Sequence, residues 1–304
     1  GAGGMAGAAR RPSVAAHRGA SGRHPENTAA AVRAALAAGA HLVEIDVQLT
    51  RDGHVVVLHD PTVDRTTDGK GRVCDLTLEE LGALDAGGFK GEQFRGERIP
   101  TLASILPLFL DKTSNPNGAK LLIEIKFSIF SWSGGFLKAI PGLAKATLEV
   151  IQGCGAQKVV IVQSFLEGNL AVIRSAEPDI PVHLLVFPWR RLSRLLHLDV
   201  DSFNPSVRFL SKSFVAQAHA AGKQVHVWTV DRPEDMGFCL HAGVDGLITN
   251  LPDEAIAYSA AFDHSTFPPP TPRFALYHFC VLASTVALAA AWTQFRWAEP
   301  ALEL

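Results

Sequence analysis

The segment HLVEIDVQLTRDGHVVVLHD, residues 41–60, decides how the strands of this 304-residue chain pair with one another. It contains two β-rich runs, 41–49 and 54–59, which are joined only by the short link TRDG. A parallel crossover needs a dozen or more residues, so this link predicts an antiparallel hairpin. Glu44 and Asp46 stand two positions apart in the first run, which places both carboxylates on one face of the strand.

Along most of the chain, this segment included, short β-rich runs alternate with helix-like patterns. The strand candidates are 13–17, 41–49, 54–59, 120–126, 158–164, 181–187, 200–205, 224–230 and 246–250. The helix candidates are 27–38, 77–84, 101–110, 138–152, 167–176, 211–221, 233–242 and 253–261. Such alternation predicts βα units and a mainly parallel sheet.

The number of strands indicates the architecture. Counting the hairpin as one barrel strand plus one appended strand leaves eight, the number in a TIM barrel of about 245 residues. We therefore predict an α/β fold: a TIM (β/α)8 barrel over 13–261, with an inserted loop or small subdomain at about 60–100. A doubly wound open sheet is the alternative, although no G-x-G-x-x-G motif follows the first strand.

The two ends of the chain differ from the barrel segment in composition. Residues 1–12 are rich in Gly and Ala, which predicts a flexible N-terminus without an apolar signal-peptide core. The proline-rich stretch 262–273 predicts an extended linker. Residues 274–292 contain no Asp, Glu, Lys or Arg, and a bilayer core needs roughly 20 apolar residues of helix. We predict a hydrophobic C-terminal helix over 274–295 that places the protein at a membrane as a single transmembrane span. A buried or amphipathic terminal helix is the alternative.

Composition excludes several classes of function. The formal net charge is −2, so the chain lacks the basic balance of a nucleic-acid-binding protein. Its four cysteines form no C-x-x-C pair, which argues against a structural zinc site and a disulfide framework. Hydrophobic residues make up 47% of the chain, which is enough for a large core.

Ionisable side chains recur near the ends of the predicted strands. In a βα barrel, functional groups lie at the carboxyl ends of the strands, where they share one rim. The residues expected there are His17, Arg18, Glu44, Asp46, His59, Glu124 and Lys126. Three carboxylates at one rim would repel one another, and a divalent cation with oxygen ligands, Mg²⁺ or Ca²⁺, removes that repulsion. An ion-pair network with Arg18 and Lys126 is the alternative.

The other charged groups at this rim favour chemistry on phosphate esters. His17 and His59 can act as a general acid and a general base, and the sequence leaves open which is which. Arg18 and Lys126 supply positive charge for an oxyanion such as phosphate. A bound metal, two cations and two histidines together are typical of phosphoryl-ester cleavage.

Several motifs occur in a fixed order along the chain. They are HRG…PENT (17–19 and 25–28), VEIDVQLTRDGHVVVLHDPTVDRTTDG (43–69), IPTL (99–102), IEIK (123–126), VHVWTV (225–230) and GVDGLITNLP (243–252). In this combination they resemble the glycerophosphodiester phosphodiesterase family over roughly residues 14–255. The resemblance implies a TIM barrel that hydrolyses a glycerophosphodiester to glycerol 3-phosphate and an alcohol.

The resemblance also implies roles for individual residues. Those matching the family's metal ligands are Glu44, Asp46 and Glu124, those matching its acid–base pair are His17 and His59, and those matching its phosphate contacts are Arg18 and Lys126. Trp228 matches an aromatic residue that lines the glycerol side. Within PENT we expect a helix cap from Asn27 or Thr28. The family often ends its last motif in Thr-Asp, whereas this chain has Thr249-Asn250, which removes a charge near the rim.

Two segments that follow strands are unusually apolar, FSIFSWSGGF (127–136) and FPWRRLSRLLHL (187–198). They suit an anionic membrane interface, unless their side chains pack onto the barrel. With the predicted span they favour contacts with membrane lipids and an amphiphilic substrate. Lysophospholipase D-type hydrolysis of lysophospholipids or N-acyl lysolipids is therefore the alternative to cleavage of small glycerophosphodiesters. Further alternatives are an inactive membrane-tethered binding protein and a cyclising phospholipase D or phosphoinositide phospholipase C relative.

Overall fold

The computed structural model describes residues 11–128, 138–187, 190 and 192–263. Its strands are β1 (Ser13–Ala16), β2 (Leu42–Leu49), β3 (Val55–Val57), β4 (Lys120–Ile125), β5 (Phe127–Ser128), β6 (Lys138–Ala139), β7 (Val160–Ser164), β8 (Val182–Val186), β9 (Ser202–Pro205), β10 (Gln224–Val227) and β11 (Gly246–Thr249). Its α-helices are α1 (Ala29–Ala37), α2 (Leu78–Gly82), α3 (Leu102–Ile105), α4 (Pro107–Leu110), α5 (Leu143–Gly153), α6 (Glu167–Ala176), α7 (Lys212–Ala220), α8 (Pro233–Ala242) and α9 (Pro252–Ala261).

Eight parallel strands close into a barrel. β1 pairs with β2 on one side and with β11 on the other, and the remaining strands follow in the order β11, β10, β9, β8, β7, β4, β2. The strands are buried at nearly every position, because helices cover the outside of the barrel and side chains fill its interior. The predicted TIM (β/α)8 fold is therefore confirmed.

The short link after β2 forms the antiparallel hairpin that segment 41–60 predicts. Val47 pairs with Val57 across the hairpin, and β3 is appended at the end of the strand order. On its other side, β2 runs parallel to β4 in a register that sets Asp46 beside Glu124. Strand register alone therefore brings two carboxylates together.

Several helices begin with side-chain caps. Thr28, Thr101 and Ser211 each accept a hydrogen bond from a backbone N–H in the first turn of the helix that follows. Thr77 and Glu80 form a reciprocal capping box at the start of α2. Each cap satisfies backbone N–H groups that have no partner within the helix. Of the two candidates in PENT, the cap of α1 is Thr28.

Two predicted helices differ from the observed ones. The predicted helix 101–110 splits into α3 and α4, because Pro107 lacks a backbone N–H and starts a new helix. The predicted helix 138–152 begins only at Leu143, since β6 pairs with β5 in a separate two-stranded antiparallel sheet. Gly142, which precedes α5, has a left-handed backbone with φ 79°.

The segment between β3 and α3 forms the predicted inserted subdomain. It contains α2, two short 3-10 turns and a small apolar core. The members of that core are Val56, Leu58, Val63, Val73, Leu81, Ala86 and Ile99. Because Val56 belongs to β3, the subdomain is anchored to the hairpin that follows the second barrel strand.

Several predictions concern residues that lie outside the described ranges. These are residues 1–10, nearly all of the linker 262–273, the span 274–295, most of the loop 127–136 and three positions of 187–198. Within the described part of the chain, no helix combines the length and hydrophobicity needed to cross a bilayer.

Candidate active site

The backbone turns sharply where β1 ends, at His17, Arg18 and Gly19. The N–H of His17 still donates to the carbonyl oxygen of Thr249 at 2.8 Å, and Arg18 then adopts a left-handed conformation with φ 57°. Gly19, at φ 77°, lies so close to α1 that an added Cβ would be 2.6 Å from the backbone of Ala31. A glycine is therefore required for this turn, which presents the preceding histidine and arginine at the rim.

Three buried carboxylates converge at that rim. Glu44 and Asp46 of β2 and Glu124 of β4 each offer an oxygen within 4.8 Å of the others. The three residues are 1%, 0% and 7% exposed. The backbone N–H of Arg18, turned by its left-handed conformation, donates to Glu44 Oε2 at 2.8 Å. The structure thus brings together acidic residues that are 80 positions apart in the chain.

Burial and mutual repulsion dominate the electrostatics of these carboxylates. Burial, followed by repulsion from Asp46 and Glu124, raises the pKa of Glu44 well above its ordinary value. Burial also raises the pKa of Glu124, although Lys126 opposes the effect. For Asp46, burial is outweighed by neighbouring positive charge, chiefly Lys126, which holds its pKa well below the usual range. The nearby cations therefore do not fully compensate the cluster.

Two oxygens of the cluster are suited to a further cation. Asp46 Oδ1 and Glu124 Oε1 are buried and make no well-formed hydrogen bond. Lys126 Nζ lies 3.2 Å from the first and 2.9 Å from the second, so one ammonium group serves both. Buried carboxylate oxygens without hydrogen bonds are costly unless a cation binds them. The residues present fit a hard divalent cation with oxygen ligands.

Arg18 and Lys126 both contact the cluster and stay charged. Arg18 Nε lies 3.4 Å from Asp46 Oδ2, and its guanidinium donates to Glu26 Oε1 at 2.8 Å. Burial would lower the pKa of Lys126, but Asp46 and Glu124 raise it. The ion pairs considered from the sequence are therefore present, yet they leave oxygens of the cluster without hydrogen bonds.

His17 lies at the mouth of the barrel against Asn250. Its Nδ1 is 2.8 Å from Asn250 Oδ1. Burial, followed by repulsion from Arg18, lowers the pKa of His17 to about 4. The ring is therefore neutral at pH 7, which suits a group that accepts a proton.

His59 is held by a carboxylate instead. Its Nδ1 lies 2.6 Å from Asp60 Oδ1, and Arg65 Nε donates to the other oxygen of Asp60 at 2.6 Å. Burial would raise the pKa of Asp60, but Arg65 and His59 lower it to about 2. His59 interacts electrostatically with both His17 and Asp46, so the two imidazoles share one site.

Aromatic side chains form a wall at the same rim. They follow β4, β7, β8 and β10, and they are Phe127, Phe165, Phe187 and Trp228. Phe165 stacks on Phe187 with ring centres 4.4 Å apart and makes edge contacts with Phe127 at 5.6 Å and Trp228 at 5.8 Å. Trp228 Nε1 donates to the carbonyl oxygen of Asn204 at 2.7 Å, which fixes the indole. All four side chains of this aromatic wall are only half-buried.

Sequence reasoning missed residues that orient the acidic cluster. Asn27, interpreted only as a candidate cap, donates through Nδ2 to Asp46 Oδ2 at 2.8 Å and accepts the Asp46 N–H at 3.1 Å. Its left-handed backbone, with φ 60°, permits this reach. Gln163 donates to Glu44 Oε1 at 3.3 Å from inside the barrel. The PENT motif was the available signal for Asn27, but its side-chain contact required the fold.

Glu26 and Arg65 were missed as well, and Asn250 was noted only as a charge lost near the rim, not as the partner of His17. Glu26 joins Arg18 to Arg65, which in turn reaches Asp60, the partner of His59.

Phosphate-ester cleavage needs positive charge for the phosphate and groups that move protons, and all of these meet at one rim of this barrel. Fold and rim together define a TIM-barrel phosphohydrolase.

Comparison with known proteins gives the family. Residues 17–254 match the Glycerophosphoryl diester phosphodiesterase family. A glycerophosphodiester phosphodiesterase from Caldanaerobacter subterraneus subsp. tengcongensis is 41% identical over 248 residues, which cover 80% of this chain and 96% of that protein. Glycerophosphodiester phosphodiesterase 1 from Bos taurus is 31% identical over 261 residues, covering 75% of this chain and 74% of its own length.

A solved structure agrees with these relatives. An Oleispira antarctica phosphodiesterase, in complex with the product sn-glycerol-3-phosphate, has a TM-score of 0.71 and 31% identity, covering 82% of this chain and 97% of that one. The chain therefore belongs to the glycerophosphoryl diester phosphodiesterase family and is a phosphoric diester hydrolase.

Proposed function

We propose that this protein hydrolyses glycerophosphodiesters to glycerol 3-phosphate and an alcohol, with a divalent cation and two histidines. The observation that carries the proposal is the meeting of three buried carboxylates, two cations and two imidazoles at one rim. The family match and the product-bound relative support the choice of substrate.

Glu44, Asp46 and Glu124 would hold the divalent cation, Mg²⁺ or Ca²⁺, which when bound polarises a phosphoryl oxygen. Asn27 fixes Asp46, and Gln163 fixes Glu44, so the oxygens stay in position without the ion. Arg18 and Lys126 then bind the anionic phosphate as it gains charge in the transition state.

His17 and His59 would move the protons of the reaction. One imidazole takes a proton from the attacking oxygen, which belongs to water or to a hydroxyl of the glycerol. The other donates a proton to the leaving alkoxide. Asn250 and Asp60 orient these two rings through Nδ1, which leaves the Nε2 atoms for the substrate.

The decisive experiment follows the reaction by phosphorus NMR with glycerophosphocholine as substrate. We expect glycerol 3-phosphate to accumulate with Mg²⁺ or Ca²⁺ and to stop forming with EDTA. His17→Ala should lose about 100-fold or more of the rate. His219→Ala, at an exposed histidine paired with Asp245, is the matched control and should keep full activity.

Two results would contradict the proposal. Turnover that EDTA and His17→Ala both leave unchanged would remove the metal and the histidine from the mechanism. A cyclic phosphate as the end product would instead favour the cyclising reaction class.

A second candidate function, lysophospholipase D-type cleavage, is favoured by the aromatic wall. Half-buried Phe165 and Phe187 present apolar surface beside the reacting groups, where an acyl chain would lose its contact with water. The predicted span over 274–295 would keep such a site near membrane lipids.

Substrate selectivity tests this second function. Phe165→Ala should raise KM for lysophosphatidylcholine by about tenfold and leave KM for glycerophosphocholine within about twofold, because one lost aromatic contact is worth about 1–2 kcal/mol. Phe94→Ala, at an aromatic residue of the inserted subdomain that contacts His24, is the matched control. Equal losses on both substrates would remove the support for an amphiphilic substrate.

A further inference from the structure

Asn250 sits between a carboxylate and a catalytic imidazole. Its Nδ2 donates to Asp231 Oδ2 at 2.6 Å, and its backbone N–H donates to Asp231 Oδ1 at 2.8 Å. Its Oδ1 lies 2.8 Å from His17 Nδ1 and accepts from the hydroxyl of Ser21 at 2.7 Å. Thr249 Oγ1 also donates to Asp231, at 2.9 Å. The amide is thus held from both sides.

These contacts determine which way the amide faces. The carboxylate of Asp231 can only accept hydrogen bonds, so it requires the NH₂ group of Asn250 on its side. The amide oxygen must then face His17, and an amide oxygen also can only accept. His17 therefore carries its proton on Nδ1, and its Nε2 has a free lone pair.

We propose that Asn250 is a positioning residue that locks His17 in the Nδ1-protonated tautomer and thereby makes His17 the general base. This inference rests on the proposed function, in which His17 and His59 share the proton transfers. His59, whose Nδ1 faces the carboxylate of Asp60, is then the acid.

The proton balance of the step follows from that assignment. A water molecule attacks, and its oxygen gives one proton to His17 Nε2 as its bond to phosphorus forms. The bond between phosphorus and the leaving alcohol breaks, and the leaving oxygen takes a proton from His59. His17 then returns its extra proton to solvent and His59 regains one, so neither a redox partner nor a further reactant is needed.

The charged groups that face His17 are consistent with a base. Arg18 disfavours its protonated form, Asp46 favours it, and His59 lies across the site. Asp231 is the next carboxylate, but the neutral amide of Asn250 separates it from the ring. Where the family often has Asp, this chain has the neutral Asn250. The negative charge belongs instead to Asp231, one side chain further from His17.

Nitrogen NMR of the unaltered protein tests the tautomer directly. In ¹⁵N-histidine-labelled full-length protein at pH 7.5, the His17 signals are identified by their loss in His17→Gln. We expect Nδ1 to have the shift of a protonated ring nitrogen and Nε2 that of an unprotonated one. A ring protonated on Nε2, or one that averages the two tautomers, would overturn the proposal.

An exchange of the two side chains tests the consequence for catalysis. The double variant Asn250→Asp with Asp231→Asn keeps size and net charge but places a carboxylate directly on His17 Nδ1. We expect the acidic limb of the pH profile of kcat/KM to shift to higher pH by about one unit or more. An adjacent opposite charge stabilises the imidazolium and so raises the pKa of His17. An unmoved limb would mean that Asn250 only supports the fold, and would overturn the proposal.

Asn250→Ala separates positioning from binding. We expect kcat to fall by about 10- to 100-fold and KM to change by less than about threefold. A change confined to KM would contradict the proposal. The test is independent of the proposed substrate: failure to cleave any glycerophosphodiester would refute the proposed function and leave the NMR result standing, whereas the wrong tautomer in an active enzyme would refute this inference alone.

Discussion

The guanidinium of Arg65 donates to both carboxylate oxygens of Glu26, at 2.7 and 2.8 Å, across 39 positions of sequence. Glu26 also accepts from Arg18, and Arg65 also donates to Asp60, the partner of His59. One continuous ion network therefore runs from Arg18, the arginine proposed to bind phosphate, to His59, one of the two histidines proposed to move protons. Arg65 belongs to the inserted subdomain, so that insertion completes the site instead of merely lying beside it.

We predict that Arg65→Met lowers kcat/KM by about tenfold or more, because residues that orient catalytic groups are typically worth 10- to 100-fold. Arg65→Lys should retain an intermediate activity, since lysine keeps the charge but cannot make the paired contacts. Steady-state kinetics on glycerophosphocholine measures both. Arg95→Met is the control, because exposed Arg95 in the same subdomain pairs with exposed Glu92. Full activity in Arg65→Met would show that the network is dispensable.

Asp46→Asn tests the acidic cluster. Asp46 faces Lys126, Arg18 and Asn27 at once, and the amide removes the charge of this proposed metal ligand while keeping its shape. We expect Mg²⁺ or Ca²⁺ affinity, measured by calorimetric titration, to fall by at least about tenfold, with a comparable or larger loss of kcat. Asp179→Asn, at an exposed position between α6 and β8, should leave both unchanged. Unaltered metal binding in Asp46→Asn would place the ion elsewhere.

Much of this site could be predicted because strand ends in a barrel are fixed by topology. Once the hairpin after β2 left eight strands, the ionisable residues at their ends had to share a rim. Glu44, Asp46 and Glu124 needed only the alternation of side chains and the register of β2 against β4.

The remaining contacts depend on backbone geometry that sequence patterns do not encode. Asn27 reaches Asp46 because of a left-handed residue in a loop, and the pattern of PENT indicated only a helix start. Arg65 lies in an irregular insertion, where no periodicity predicts which way a side chain faces. Asn250 became interpretable only when Asp231 was found on its other side, and these residues come from two different strand ends.

Gly19→Ala should disturb both stability and catalysis. The new methyl group would meet the backbone of Ala31 at 2.6 Å, and alanine disfavours φ 77°. A strained left-handed residue costs about 1–3 kcal/mol in the free energy of unfolding, measurable by urea titration. Because this turn carries His17 and Arg18, we also expect a fall in kcat.

Gly53→Ala is the matched control for that turn. Gly53 also has a left-handed backbone, with φ 84°, but nothing lies within 4 Å of an added Cβ. We expect a smaller loss of stability there and no loss of kcat. Equal effects of the two substitutions would mean that backbone conformation alone, and not the contact with α1, sets the requirement for glycine at position 19.

We predict that the free energy of unfolding decreases as the pH is lowered, because two histidines are buried inside the barrel. His226 is 4% exposed, its Nδ1 lies 2.9 Å from Ser202 Oγ, and its ring centre is 4.9 Å from that of His183. Burial lowers the pKa of His226 from 6.5 to about 4, and burial together with His226 lowers that of His183. Between pH 6.5 and about 4 the unfolded chain therefore binds more protons than the folded one, so acidification favours unfolding.

For His226 alone this linkage is worth about 2 kcal/mol between pH 7 and pH 5. We predict that His226→Gln, which keeps a polar group beside Ser202, loses correspondingly less stability over that interval than the unaltered protein does. Urea unfolding at the two pH values gives the change in the free energy of unfolding between pH 7 and pH 5 for each protein. Comparing these changes removes any pH-independent cost of the substitution. His197→Gln, at an exposed histidine between β8 and β9, is the control and should retain the original pH dependence. If the free energy of unfolding changed equally with pH in His226→Gln and in the unaltered protein, His226 would bind a proton as readily in the folded chain as in the unfolded one.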